Sequence, residues 1–262
     1  MVNLLAAAAL AAAAPQAQPP ASPHPALWVV RDADTTVYIF GTFHALDGQT
    51  QWFSDEVRSA FESSNELVLE TVIPEGPVQM RPVFGGRPLS VTPSASFLAT
   101  TRMAINAGQS QGMQVGNGAD MILRRAAEAE GKPVAGLETI ELQLNMFTRM
   151  PVAPAAAPRA GEPVDDGQAM DSLSRSMIEM QAAWKRGDQR IFVQMLGQLE
   201  QSSPDTYRMM FTERNARWAD WIAGRMQTPG VVFVAVGAGH LAGKDSLLVR
   251  LAEQGIVSSR VD

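Results

Sequence analysis

The sequence predicts an α/β protein with a mixed central β-sheet formed by the N- and C-terminal halves, flanked by helices, with a mostly helical middle insert. Apolar, β-branched runs occur near the start (LWVVRD, TVYIF, ELVLET) and again near the end (VVFVAVG). Helical periodicity separates these runs, and residues from about 168 to 227 show helical patterns only. Strands that alternate with helices at both ends of a chain favour one sheet built from both ends.

The first part of the globular sequence predicts the element order strand, strand, helix, strand. The runs LWVVRD and TVYIF flank residues 32–35, a polar segment typical of a hairpin turn. Ser54 then begins a helix, because Val57, Ala60 and Phe61 follow it at helical spacing. The run ELVLET is short and apolar, so we expect a buried strand there.

The middle of the chain contains two interruptions. Residues 72–96 contain five prolines and a Gly-Gly pair, which predicts a loop, and residues 151–167 are rich in Ala and Pro, which predicts a linker. Helices are predicted at about 95–107, 118–131, 138–150, 168–186, 188–200, 204–227 and 244–254, with strands at KPVAGLE, VVFVAVG and IVSSRV. We therefore expect a single domain over residues 27–262, with the helical insert at about 168–227.

The first 22 residues differ from the rest. An apolar run, LLAAAALAAAA, precedes the Pro-rich stretch PQAQPPASPHP, and the first charged residue is Arg31. This pattern predicts a signal peptide and Pro/Ala-rich leader over residues 1–22, and the alternative is an Ala-rich tail. The run is shorter than the roughly 20 residues that a membrane span needs. We therefore expect an exported protein, periplasmic or secreted, without a stable membrane anchor.

The composition excludes several functional classes. The chain has no cysteine, which excludes disulfide frameworks, cysteine zinc sites, iron–sulfur clusters and thiol catalysis. A formal net charge of −6 and the absence of a basic run argue against nucleic acid as a partner. Motifs for serine hydrolases, P-loops and dinucleotide binding are absent. Of the three histidines, His24 lies in the Pro-rich leader, which leaves His44 and His240 for the globular part.

These two histidines occur in matched contexts. Each follows an apolar strand in the pattern Gly-x-x-His, once as GTFH and once as GAGH. Both imidazoles are therefore expected at the carboxyl ends of strands, where open α/β sheets bind ligands. The alternative is that each histidine is a hydrogen-bonded structural residue.

Two acidic residues also lie at the ends of predicted strands. Glu70 ends an apolar strand and could complete a site of two histidines and one carboxylate, a donor set that suits Zn, Mn, Co or Fe. Glu138 also follows a strand and could act as a general base or as another ligand. The alternative for Glu138 is stabilisation of a helix N-terminus through the helix dipole.

Polar residues also border two apolar helix faces. In the helix predicted over 204–227, Arg214 and Asn215 lie beside the apolar face. Arg214 could bind a carboxylate or a developing oxyanion, or it could pair with a neighbouring acid instead. Gln143 borders the apolar stripe of an earlier helix and could bind substrate or a ligating histidine.

The segments YIFGTFHAL, ELVLET, GLET with Gln143, ERNARWADWI and VAVGAGHLAGKDSLLVRLAEQGI resemble the TraB/GumN family. The resemblance covers most of residues 27–262, and the GAGHL-x-G block is its most specific part. The family is similar to Tiki-type metalloproteases and, more distantly, to erythromycin-esterase-like and ChaN-like folds. Departures are the Pro-rich segments 72–96 and 151–167, and Ser246, where relatives often carry Gly.

The resemblance implies a metal-dependent hydrolase that acts on a peptide or another small extracytoplasmic substrate. His44, Glu70 and His240 match the metal ligands, with Zn, Mn or Co as the expected ion. Glu138, Arg214 and Asn215 match further polar landmarks of the family. We expect Glu138 and Arg214 to be catalytic residues, and Gln143 and Asn215 to bind substrate. The alternative is a noncatalytic exported binding or accessory protein that uses the same cleft for a peptide, a polysaccharide fragment or a haem-like ligand.

Overall fold

The computed structural model describes residues 24–72, 95–149 and 166–261. The predicted signal peptide and most of the two Pro-rich segments lie outside these residues. Among the described residues, no helix is both long enough and apolar enough to cross a membrane. Export of the protein stays a prediction.

Six strands form one mixed sheet in the order β4-β3-β5-β2-β1-β6. The strands are Leu27–Arg31 (β1), Thr35–Thr42 (β2), Glu66–Thr71 (β3), Val134–Glu138 (β4), Gly230–Gly237 (β5) and Ser259–Arg260 (β6). Strand β5, from the C-terminal half, lies between β2 and β3, and all three run parallel. Strand β1 is antiparallel to both β2 and β6. The predicted α/β class and the sheet formed by both halves of the chain are confirmed.

The described helices flank this sheet and form the middle section. They are Asp55–Glu62 (α1), Ala95–Ser110 (α2), Ala119–Ala129 (α3), Ile140–Arg149 (α4), Asp166–Lys185 (α5), Arg190–Ser202 (α6), Pro204–Tyr207 (α7), Glu213–Arg225 (α8) and Leu247–Glu253 (α9). Ser54 caps α1 by accepting a hydrogen bond from the backbone N–H of Val57, as the sequence predicts. Ser246 caps α9 through Val249 in the same way, which accounts for a serine at this position.

The centre of the sheet is buried on both faces, which explains why the sequence of β5 is almost continuously apolar. Phe233 and Ala235 pack into a core with Phe40 of β2 and the side chains of α3 and α6. Val232, Val234 and Val236 face the other way, toward α8 and α9. Successive side chains of a strand point to opposite faces, so only an apolar run suits a strand covered on both sides.

The helix predicted over 204–227 contains a π-helical turn. Residues Arg208–Thr212 form this turn between α7 and α8. The backbone stays helical at both junctions, with φ −57° and ψ −49° at Tyr207 and φ −58° and ψ −51° at Thr212. A π-turn inserts one residue into a helix, so it shifts the faces of the preceding and following parts relative to each other.

His24 is part of the folded domain. Its side chain is buried, and its Nδ1 lies 2.8 Å from the carbonyl oxygen of Pro25. Gly187 approaches the His24 backbone so closely that a Cβ there would lie 2.7 Å from the carbonyl oxygen. The expectation that His24 belongs to the leader is therefore wrong, because the chain already packs against the end of α5 at this residue.

Candidate active site

The carboxyl ends of three neighbouring parallel strands bring the predicted residues together. Glu70 lies at the end of β3, His44 follows β2 by two residues, and His240 lies in a short 3-10 turn directly after β5. Because β5 lies between β2 and β3, the two Gly-x-x-His motifs and Glu70 share one edge of the sheet.

Glu70 Oε1 lies close to both histidines. It is 4.0 Å from His44 Nε2 and 3.7 Å from His240 Nε2, and it accepts a hydrogen bond of 2.7 Å from the backbone N–H of Gly237. A Cβ on Gly237 would lie 3.1 Å from Glu70 Oε1, 3.1 Å from His44 Nε2 and 3.7 Å from His240 Cδ2. The three side chains therefore converge on the open flank of this glycine.

His44 lies between the cavity and an acidic partner. Its side chain is 57% exposed, and its Nδ1 lies 3.3 Å from Oδ1 of Asp120, in the first turn of α3. Desolvation by the surrounding walls lowers the pKa of His44, but the Asp120 carboxylate and then Glu70 outweigh it and raise the pKa to about 9. Asp120 thus orients the imidazole so that Nε2 points toward Glu70.

His240 is buried, and protein side chains contact both its ring and its two ring nitrogens. Its ring lies between the rings of Phe211 and Trp218, with centroid distances of 4.9 and 4.4 Å. Nδ1 lies 2.7 Å from Asn215 Oδ1, and Nε2 lies 3.2 Å from Arg214 Nη1. Because a guanidinium can only donate, we assign the proton to Nδ1 and the lone pair to Nε2. Burial lowers the pKa of His240 to about 3, so its imidazole is neutral at physiological pH.

Arg214 connects the two predicted glutamates with His240. Its side chain is 2% exposed, and it donates from Nε to Glu138 Oε2 at 2.9 Å and from Nη2 to Glu70 Oε2 at 2.8 Å. Burial alone would raise the pKa of Glu70, but the nearby histidines, Arg214 and the Gly237 N–H lower it to about 2. Glu138 also accepts from Arg217 Nη2 at 3.0 Å. The guanidinium is therefore fixed in a buried ion-pair network.

Asn215 lies behind His240 and does not line the cavity described below. Its Nδ2 donates to the backbone oxygen of Asp245 at 2.7 Å, which fixes Oδ1 toward the imidazole. The Asp245 carboxylate in turn accepts from the Tyr207 hydroxyl at 2.9 Å and contacts Arg250. The geometry gives Asn215 the role of orienting His240, since its side chain contacts the imidazole and does not line the cavity.

A cavity of about 600 Å³ opens above this polar floor, a size typical of small-molecule sites. The floor contains the side chains of His44, Glu70, Asp120, Arg214 and His240, and Gln143 of α4 lies on the wall. The wall is otherwise mostly apolar and includes Phe43, Leu69, Met121, Phe147, Met177, Met180, Phe192, Met195, Met210 and Phe211. Gln143 therefore lines the cavity, whereas Glu138 and Asn215 lie behind its floor.

The donor set suits a divalent ion in type, but its arrangement among the described residues does not coordinate one. Two imidazoles and a carboxylate suit Zn, Mn, Co or Fe, and all three approach the flank of Gly237. Coordination needs distances of about 2.0–2.2 Å, and in the described part of the chain no three His, Asp or Glu side chains stand in an arrangement that could hold an ion. Arg214 Nη1 takes the lone pair of His240 Nε2. Metal binding therefore requires Arg214 to release His240.

Sequence reasoning missed Asp120, Asp245 and the methionine-rich wall. An acidic residue in a first helical turn, such as Asp120, is common for helix stability alone and carries no specific signal. Asp245 follows His240 by five residues, so only the local GAGHLAGKD pattern could have indicated it. The methionines are scattered over four elements, and only the tertiary structure brings them together.

The model of the TraB/PrgY/gumN family matches residues 26–84 and 86–260. No curated protein and no solved structure matches the chain. The family match covers all six strands and both Gly-x-x-His motifs, so the chain belongs to the TraB/PrgY/gumN family.

Proposed function

We propose that the protein is a divalent-metal-dependent hydrolase that cleaves an amide bond in a peptide or another small substrate. The observation that carries this proposal is the convergence of His44 Nε2, His240 and Glu70 Oε1 at the floor of a ligand-sized cavity. These three residues would hold the ion, with Zn, Mn or Co as candidates. A bound ion lowers the pKa of water and polarises a carbonyl group. The predicted export would place this reaction in the periplasm or outside the cell.

The remaining polar residues support this chemistry in distinct ways. Arg214 lines the cavity, and its charge can stabilise the negative charge that grows on a carbonyl oxygen during attack by water. Glu138 is engaged by two arginines, and its side chain is 2% exposed. This geometry favours a positioning role for Glu138, which holds Arg214 in place, over the proton transfer expected from the sequence.

A second candidate is a noncatalytic binding protein that uses the same cavity for a peptide, a polysaccharide fragment or a haem-like ligand. One observation favours it: both ring nitrogens of His240 have protein partners, Asn215 and Arg214. A histidine satisfied in this way needs no metal. The open Nε2 side of His44, which faces Glu70 in the cavity, favours the metal enzyme instead.

Metal analysis and cleavage assays separate the two candidates. The purified chain is expected to bind one divalent ion, and His44→Ala and His240→Ala should each abolish stoichiometric binding. The matched control is His24→Gln, because His24 is buried away from the cavity. Wild type should cleave members of an amide and peptide library when the metal is supplied, and His240→Ala should not. Two results together would contradict the proposal. The purified wild type would contain no stoichiometric metal, and the wild type and all three variants would bind added ions with the same affinity.

A further inference from the structure

The side chains that line the wall of the cavity indicate which kind of ligand the cavity would accept. Among the described residues, helices α5 and α6 contribute four side chains to the cavity, Met177, Met180, Phe192 and Met195, and all four are apolar. Met121 and Met210 extend this methionine wall from α3 and from the π-turn. A helix satisfies its own backbone groups, so the described lining side chains of these helices present only hydrocarbon and sulfur to a ligand.

A bound peptide is poorly matched to such a wall. An extended peptide carries an N–H and a C=O group in every residue, at a spacing of about 3.3–3.6 Å. Each such group, when buried without a partner, costs about 1–3 kcal/mol. A hydrocarbon chain has no groups of this kind and gains free energy from burial. Methionine side chains are unbranched and flexible, so they adapt to a chain that is itself flexible.

The polar side chains at the floor of the cavity indicate which polar group a ligand would carry. Glu70 and Asp120 are the described carboxylates that line the cavity, and they already face Arg214 at 2.8 Å and His44 at 3.3 Å. Arg124, on the wall, donates to Glu128 at 2.7 Å. A ligand with an ammonium group would have to compete with these pairs for a carboxylate, whereas His44 Nε2 stays open to a hydrogen-bond acceptor. A neutral amide can approach the floor without this competition.

We propose that the substrate is a long-chain N-acyl amide, with its hydrocarbon chain on the methionine wall and its amide carbonyl at the polar floor. This inference rests on the proposed hydrolase function. In the reaction, the C–N bond of the amide breaks and the oxygen of one water molecule bonds to the carbonyl carbon. One proton of that water goes to the nitrogen, which leaves as the amine, and the other stays on the new carboxyl group, so the products are a fatty acid and an amine.

The test measures how affinity depends on chain length. Acetyl-, hexanoyl-, decanoyl- and tetradecanoyl-glycinamide are titrated into the full-length protein by calorimetry, below their micelle concentrations. Each methylene that reaches the wall should tighten binding by about three- to fourfold. Met180→Gln and Met195→Gln should weaken the tetradecanoyl compound by about tenfold and leave the acetyl compound unchanged. Met209→Gln is the matched control, since Met209 lies in the π-turn but does not line the cavity.

Three outcomes overturn the inference. They are an affinity independent of chain length, an equal loss in the wall variants and in Met209→Gln, and a hydrophobic tetrapeptide amide that binds as tightly as the tetradecanoyl compound. The proposed hydrolase is tested separately by incubating the same compounds with metal-supplemented protein and measuring released fatty acid. Chain-length-dependent binding without release supports the acyl-chain site and contradicts the hydrolase.

Discussion

Replacing Gly237 with alanine tests the convergence of the three candidate ligands directly. Gly237 has φ −53° and ψ 136°, a conformation that alanine adopts without strain. The added methyl group would lie 3.1 Å from both Glu70 Oε1 and His44 Nε2, so each neighbour must move by a few tenths of an ångström. Overpacking of this kind costs about 1–3 kcal/mol, and the lower entropy of the unfolded alanine chain offsets about 0.4–1 kcal/mol.

We therefore expect Gly237→Ala to lower the free energy of unfolding by about 1–2 kcal/mol in urea titrations. Metal binding and hydrolysis should fall by about a hundredfold, because the methyl group occupies the point that the three donors share. Gly197→Ala, in α6, is the control: a Cβ there meets no atom within 4 Å, and we expect about 0.5–1 kcal/mol of added stability. If Gly237→Ala gains stability as Gly197→Ala does and keeps full metal affinity, the described packing is incorrect.

Further predictions concern the network around this point. Arg214→Met should lower the free energy of unfolding by about 3–5 kcal/mol, because it leaves Glu138 and Glu70 buried without that partner. Arg217→Met should lower it by about 1 kcal/mol or less, because the Arg217 side chain is 47% exposed. Equal effects of the two would argue against the buried network. Asp120→Asn should lower the pKa of His44, followed by NMR titration of its ring protons, and an unchanged pKa would exclude Asp120 as the orienting group. The metal-free protein should lose stability as the pH falls from about 6.5 toward 3, because unfolded His240 binds a proton that the folded form excludes. It should also lose stability as the pH rises from about 6.5 toward 9, because His44 holds its proton more tightly in the folded protein than in the unfolded chain. In urea titrations, His44→Gln should not show this loss of stability at alkaline pH.

The parts of the fold that sequence reasoning predicted are those with a local physical cause. Strand β5 is apolar because it is covered on both faces, and α1 begins at Ser54 because that side chain caps the helix. The edge that holds His44 and His240 was also predictable, since each histidine follows a strand and the ends of parallel strands meet. The meeting of the two histidines also required β2 and β5 to be neighbours, which the sequence alone could not establish.

The remaining features depend on tertiary neighbours that the sequence does not specify. The pattern around Arg214 indicated a buried position, but its partners come from β3, β4 and the turn after β5. Asn215 was expected to bind substrate, whereas in the structure its Oδ1 lies 2.7 Å from His240 Nδ1, a contact that its sequence position did not indicate. The π-turn that precedes α8 has no sequence signature and changes the phase of the helix, so the apolar face alone did not reveal it.

The position of β5 in the middle of the sheet also determines when the site can exist during synthesis. The ribosome releases His44 and Glu70 long before Gly237 and His240, which arrive with one of the last strands. Until then β2 and β3 lack the strand that lies between them, and Glu70 lacks the backbone N–H that fixes its carboxylate. Contacts between distant parts of a chain form slowly, because the closure entropy of the long loop must be overcome first. A growing chain therefore carries most of the polar residues of the site without the ability to assemble them.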